Sequence, residues 1–164
     1  MKNKKAVFPG SFDPITLGHV DIIHQGLELF ETIIIGIGFN QSKDYMFDID
    51  QRKDFITSIF ENNKRIVIKK YSGLTVNFCQ QEKAHYIIRG IRNTIDLEYE
   101  KTISLANNQL NEDINTIFLP AKKEHVFISS TIVREIILQQ GDFMKNLKHF
   151  IPTAIIKKIQ QQFP

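Results

Sequence analysis

A single cysteine, Cys79, rules out an intramolecular disulfide and any thiol cluster for a metal ion. As a lone thiol it is expected to be a small buried hydrophobe. No apolar run approaches the roughly 20 residues of a membrane span. Lys2, Lys4 and Lys5 precede only a short apolar stretch that stops at Pro9, which does not make a secretory leader, so a cytoplasmic setting without membrane association is expected. Charge of one sign is also scarce. With 21 basic and 18 acidic residues the formal balance is +3, too mild for a nucleic-acid groove but suited to a small anion.

Several familiar patterns are missing as well. Gly36-Ile37-Gly38 continues into Phe39-Asn40-Gln41 without the third glycine of a dinucleotide fingerprint, and no Gly-Lys-Ser/Thr phosphate loop occurs. His24, His85, His125 and His149 are scattered without metal-ligand spacing. No hydroxyl or thiol nucleophile stands beside a base in sequence.

What is present is a regular alternation. Near-continuous apolar runs at Ala6–Phe8, Thr32–Phe39, Arg65–Ile68, Tyr86–Arg89 and Asn115–Leu119 predict five strands buried on both faces. Between them, Val20, Ile23, Leu27 and Phe30 mark one helical stripe, and Ile95, Tyr99, Ile103, Ala106 and Leu110 mark another. Weaker helical patterns cover Asp50–Phe60 and Leu74–Gln81. Ile132, Val133, Ile136 and Ile137 begin a helix after Ser129-Ser130-Thr131, with Gly141 to end it. Pro152 opens a last helix through Ile155, Ile156 and Ile159. Strand–helix alternation over the whole length, with 42% hydrophobic residues and neither repeat nor linker, predicts one α/β domain, 1–164, around a parallel sheet.

Four places could carry chemistry. In Phe8-Pro9-Gly10-Ser11-Phe12-Asp13-Pro14, a strand runs into a turn bearing a hydroxyl, and Thr16-Leu17-Gly18-His19 then opens a helix. Gly10 is read as permitting the turn, and Gly18 as letting a ligand approach the helix backbone. At the positive end of the helix dipole His19 is expected to stay neutral and to donate to a phosphoryl oxygen. Ile88-Arg89-Gly90-Ile91-Arg92 ends the fourth strand with two guanidinium groups, planar donors suited to phosphate. Ser129, Ser130 and Thr131 can cap a helix, bind an anion or do both. Lys43, after the second strand, gains interest only because it emerges at the same sheet edge as Ser11, His19, Arg89 and Arg92.

With these motifs in hand the chain resembles the bacterial phosphopantetheine adenylyltransferases over essentially its full length. The likeness rests on Phe8 through His19, Ser42-Lys43, Ile88–Arg92, Asp96-Leu97-Glu98-Tyr99-Glu100 and Phe127–Thr131. Thr16-x-Gly18-His19 alone marks only the nucleotidyltransferase superfamily; the arginine and acidic segments are more specific. The resemblance implies a Rossmann-like, doubly wound five-stranded sheet of order 3-2-1-4-5, with helices on both faces and further helices at the C-terminus. It implies AMP transfer from ATP to 4′-phosphopantetheine with Mg²⁺ accompanying ATP, inhibition by coenzyme A, and a homohexamer.

By matching motif, His19, Lys43 and Arg89 would be catalytic. Ser11, Phe12, His19, Gly90, Ile91, Arg92, Glu100 and the segment His125, Val126, Phe127, Ile128, Ser129, Ser130 and Thr131 would bind ATP. Ser11, Lys43, Thr75, Arg89, Tyr99 and Asn107 would hold the acceptor, and no residue is assigned to metal. Ser11 stands where threonine is commoner and Thr131 where serine is, each preserving the hydroxyl. His125 replaces a frequent aromatic residue, and its role is left open.

Overall fold

The computed structural model describes residues 4–40, 42–139 and 141–163; Lys2 and Gln41, named above, lie outside them. Strands and helices alternate in the order β1 (Lys5–Gly10), α1 (Leu17–Leu29), β2 (Thr32–Phe39), α2 (Ile49–Phe60), β3 (Ile66–Ser72), α3 (Thr75–Glu82), β4 (Tyr86–Ile91), α4 (Thr94–Leu110), β5 (Asn115–Pro120), α5 (Ser130–Gln139) and α6 (Thr153–Gln162). Two 3₁₀ segments, Lys123–His125 and Gly141–His149, flank α5. The strands pair in parallel in the order β3-β2-β1-β4-β5, the Rossmann-like order that the resemblance implied.

The β-branched runs form strands because they are covered from both sides. Ile33 through Ile37 in β2 are buried without a break, as are Ala6 to Pro9 in β1. The larger core packs Ala6, Phe8, Ile33, Ile35 and Ile37 with residues of α1, α2, α5 and α6, whereas Val7, Ile34 and Ile87 meet α3 on the opposite face through Val76, Phe78 and Cys79. Cys79 is fully buried, and burial pushes its thiol up to about 12, as a packed hydrophobe requires.

Two expectations need correction. Burial on both faces fails at the edges: in β3, Ile66, Ile68 and Tyr71 are partly covered while Val67, Lys69 and Lys70 are exposed. The α4 stripe does not enter the core either. Glu100 is the only buried residue of that helix, while Ile95 is 80% and Tyr99 65% exposed. Helical periodicity shows that a face is apolar, not what covers it.

The third strand, expected from Arg65, begins at Ile66, and the Arg65 guanidinium donates to the carbonyls of Leu27, Phe30 and Glu31. It caps the C-terminus of α1, where the last carbonyls lack intrahelical partners.

β1 lies between β2 and β4, so the chain reverses its direction of winding there. β1 and β4 are registered at Ala6–Tyr86 and Val7–Ile87, and beyond this pairing their carboxyl ends leave the crevice where open α/β sheets place ligands. Helix α1 comes close to that crevice over Gly90, where an added Cβ would stand 2.8 Å from Cγ1 of Ile22.

Candidate active site

The loop from β1 into α1 is shaped by Phe12, whose φ of 50° puts a bulky residue in the left-handed region. Its ring, 2% exposed, meets His19 edge-on at 5.1 Å and Phe8 at 5.4 Å, which holds the backbone there. Gly10 is therefore needed for a different reason from the one expected. Its own φ is not positive, but a Cβ would lie 3.0 Å from two atoms of the Phe12 ring. The next peptide, Asp13–Pro14, is cis.

Asp13 ties this loop to the loop that bears Lys43. Its buried carboxylate accepts the backbone N–H groups of Met46 at 3.0 Å and Phe47 at 2.9 Å. From the other side, fully buried Arg52 donates to the carbonyls of Ser11 at 2.7 Å and Gly38 at 3.2 Å while lying 4.1 Å from the centre of the Tyr45 ring. Lys43 is thereby brought to Ser11, with Nζ 3.4 Å from the hydroxyl. Neither Asp13 nor Arg52 was singled out from the sequence. Arg52 stands among charged and polar neighbours, Asp50, Gln51, Lys53 and Asp54, so nothing local set it apart.

His19 begins α1 in a reciprocal cap. Its backbone N–H donates to Thr16 Oγ1, and its Nδ1 accepts the backbone N–H of Thr16 at 3.0 Å. An Nδ1 that accepts carries no proton, so the neutral ring bears its hydrogen on Nε2. Its pKa is lowered to about 4, first by burial and then by the positive charges of Arg89 and Arg92. The expected neutral imidazole is present, favoured by burial and by the two arginines.

The two arginines are less free than their sequence spacing implied. Arg89, within β4, donates through Nε to Glu100 at 2.7 Å, through a second nitrogen to the other Glu100 oxygen, and also to the Pro9 carbonyl. Arg92 is held in the same way by Asp96, with Nε 2.8 Å from Oδ2, and reaches the Ile128 carbonyl at 3.3 Å. Asp96 and Glu100 stand one turn apart on α4, so each aims one guanidinium. This gives the acidic segment a physical role.

The hydroxyls before α5 are also engaged. Ser129 Oγ accepts the Ile132 N–H at 3.2 Å, Ser130 donates to the Pro14 carbonyl at 2.8 Å, and Thr131 accepts from Arg134 at 3.2 Å. Capping is thus shown for Ser129, Ser130 docks α5 against the first loop, and Thr131 bonds within α5 to Arg134, which itself donates to the Asp13 carbonyl at 2.7 Å.

Two cavities meet over these residues. One, of about 390 Å³, is lined by Phe12, His19, Gly90, Arg92, His125, Ile128 and Ser129–Thr131. The other, of about 440 Å³, is lined by Thr75, Tyr99, Asn107, Tyr71 and Tyr45. Ser11, Lys43, Arg89 and Glu100 line both. Ile91, Val126 and Phe127 line neither; Val126 and Phe127 are 40% and 57% exposed. Among the described residues, no group of three or more His, Cys, Asp or Glu could hold a metal ion.

A parallel sheet with this crevice, a neutral histidine at a helix start and opposed cationic side chains defines a nucleotidyltransferase. The family model for cytidylyltransferase-like proteins accordingly matches residues 7–136. The chain is 44% identical to the phosphopantetheine adenylyltransferase of Flavobacterium johnsoniae, with 94% of this chain and 99% of that protein covered. It is 47% identical to that of Flavobacterium psychrophilum, over 85% and 92%. The chain belongs to the phosphopantetheine adenylyltransferase family. In fold it is similar to a nicotinic acid mononucleotide adenylyltransferase from Plasmodium falciparum solved with NaAD. There the TM-score is 0.68 and the identity 20%, with 99% of this chain and 98% of that one covered.

Proposed function

We propose that this protein transfers AMP from ATP to the phosphate of 4′-phosphopantetheine, giving 3′-dephospho-coenzyme A and pyrophosphate. The observation that carries the reading is the shared wall of Ser11, Lys43, Arg89 and Glu100 between the two cavities. Two phosphate-bearing ligands, one in each, would bring their reacting ends together there.

The nucleotide occupies the cavity of His19, Gly90, Arg92, His125, Ile128 and Ser129–Thr131, with Phe12 contributing backbone groups, while Ile91, Val126 and Phe127 stand outside its lining. The acceptor lies along Thr75, Tyr99 and Asn107, its phosphate on Lys43 and Arg89. A phosphate monoester is a competent nucleophile near neutral pH, so in-line attack on the α-phosphorus needs no general base and no covalent enzyme intermediate. Catalysis then consists of positioning and charge stabilisation. His19 donates its Nε2 hydrogen to an α-phosphoryl oxygen as charge shifts toward the leaving pyrophosphate. Lys43 and Ser11 span acceptor and nucleotide. Glu100 acts through Arg89. Mg²⁺ arrives with ATP as part of that substrate.

The whole chain, 1–164, acts as one nucleotidyltransferase domain in the cytoplasm, with neither nucleic acid nor membrane as a partner. No helix among the described residues is long and apolar enough to cross a membrane. The exposed apolar side chains of α4 support self-association as a homohexamer, and coenzyme A, which contains the product's structure, is the expected feedback inhibitor.

The deciding experiment is pyrophosphate release with ATP and 4′-phosphopantetheine together, against ATP alone. Release only with both is expected. Equal release without the acceptor, or transfer to another acceptor in preference, would overturn the assignment.

A further inference from the structure

Two residues beyond His19, α1 carries a second polar cluster that the proposed chemistry does not use. Asp21, 5% exposed, receives Lys122 Nζ on Oδ1 at 2.7 Å and Gln25 Nε2 on Oδ2 at 2.9 Å. Gln25 also donates to the Pro120 carbonyl at 3.1 Å. The third contact is incomplete. Nδ1 of His125 is buried without a hydrogen-bond partner and stands 3.7 Å from the same Oδ2 of Asp21.

Pro120 ends β5, Lys122 and His125 belong to the strap between β5 and α5, and all three converge on one turn of α1. The strap lies directly against this turn, since a Cβ at Gly18 would be in ordinary contact with Cβ of His125, at 3.9 Å. Ala121 and His125 line the nucleotide cavity, and the strap then delivers Ile128 and the three hydroxyl residues to it. Burial alone would raise the Asp21 carboxyl, but hydrogen bonds from Lys122 and Gln25 outweigh it and hold the pKa below the ordinary carboxylate value. A buried polar atom without a partner is costly, so the His125 nitrogen has a reason to complete its bond.

We infer that Asp21 is a positioning residue for the nucleotide: with Gln25 it latches the strap to α1, and its bond to His125 closes as the strap seats on the bound ligand. The inference rests on the nucleotide reading of this cavity. It gives His125 a role that a phenylalanine ring at that position could not fill. Asp21 touches no reacting atom, so its effect must appear in the handling of one substrate.

The test is steady-state kinetics of the full chain with Asp21→Ala and, separately, His125→Phe, varying each substrate in turn. Asp21→Ala is expected to raise KM for ATP about tenfold, leaving KM for 4′-phosphopantetheine within about twofold and lowering kcat less than KM rises. His125→Phe, which keeps a ring but no polar atom, is expected to move KM for ATP in the same direction. The double variant should be no worse than Asp21→Ala alone. If Asp21→Ala does not fold, Asp21→Asn, of the same size, takes its place with the same expectation. Equal rises for both substrates, unchanged constants beside a lowered Tm, or additive effects in the double variant would overturn the latch. A parent enzyme that makes no pyrophosphate with the two substrates would instead overturn the functional reading, a result separable from failure of the latch in an active parent.

Discussion

Glu100 grips Arg89 with both carboxylate oxygens, and the pair sits at the wall shared by the two cavities. The glutamate side chain is 10% exposed and the arginine 28%, so each depends on the other for its compensation. Glu100→Gln removes the charge that aims the guanidinium. It should lower stability by about 2 kcal/mol and reduce kcat/KM for the acceptor phosphate more than that for the nucleotide. Denaturant melts and two-substrate kinetics check both parts, and an unaltered acceptor constant would refute the aiming role.

Removing the imidazole should damage turnover rather than binding. His19→Ala deletes one preorganised donor, and a loss of about 10²–10³-fold in kcat with little change in KM is expected. Single-turnover measurements separate this from slow product release. Near-normal turnover would exclude His19 from the chemistry.

The protonation of His19 has a definite sign in stability. Its pKa is about 4 in the folded chain, against roughly 6.5 when unfolded, so between these values the unfolded state binds more protons. The contribution of His19 to stability is therefore complete above about pH 6.5 and is lost as the pH falls toward 4. Subtracting the pH–stability curve of His19→Gln from that of the parent should reveal this slope. In nitrogen-detected spectra the ring should keep its Nε2–H form from pH 8 to pH 5, and titration near 6.5 would contradict the structure.

Gly10→Ala should act through Phe12. The new methyl group would meet the ring at 3.0 Å, and the displaced ring would press on His19. Overpacking of this kind costs about 1–3 kcal/mol. A thermal melt and an activity assay should both register it, whereas full activity would show that the loop yields without moving the imidazole.

Charge on the bare face of α4 should break self-association. Leu110 is 59% and Leu105 64% exposed. Leu105→Glu with Leu110→Glu is expected to shift the sedimenting species toward the monomer while leaving the far-ultraviolet spectrum intact. A parent that already sediments as a monomer would refute the hexamer.

The parallel sheet was legible because β1, β2 and β4 carry near-continuous apolar runs, which fit strands covered on both faces. The cluster of His19, Arg89, Lys43 and Ser11 was legible because every member lies near or beyond the carboxyl end of a strand, and strand ends converge in this topology. Interactions between distant segments left no local trace. Nothing in Asp13 or Arg52 announces that they pin the Lys43 loop, and the spacing of Asp96 and Glu100 marks a helix face without naming the guanidinium partners. The apolar stripe of α4 misled for the opposite reason, since its period is clear but its covering is not encoded within the chain's own elements.

The reciprocal bond between Thr16 and His19 makes the start of a helix and the readiness of the imidazole for its proposed role a single equilibrium. If the first turn of α1 frays, the imidazole loses the N–H that occupies Nδ1, and its hydrogen is no longer confined to the nitrogen that serves the reaction. Amide exchange at the head of this helix should therefore report the fraction of molecules poised to react.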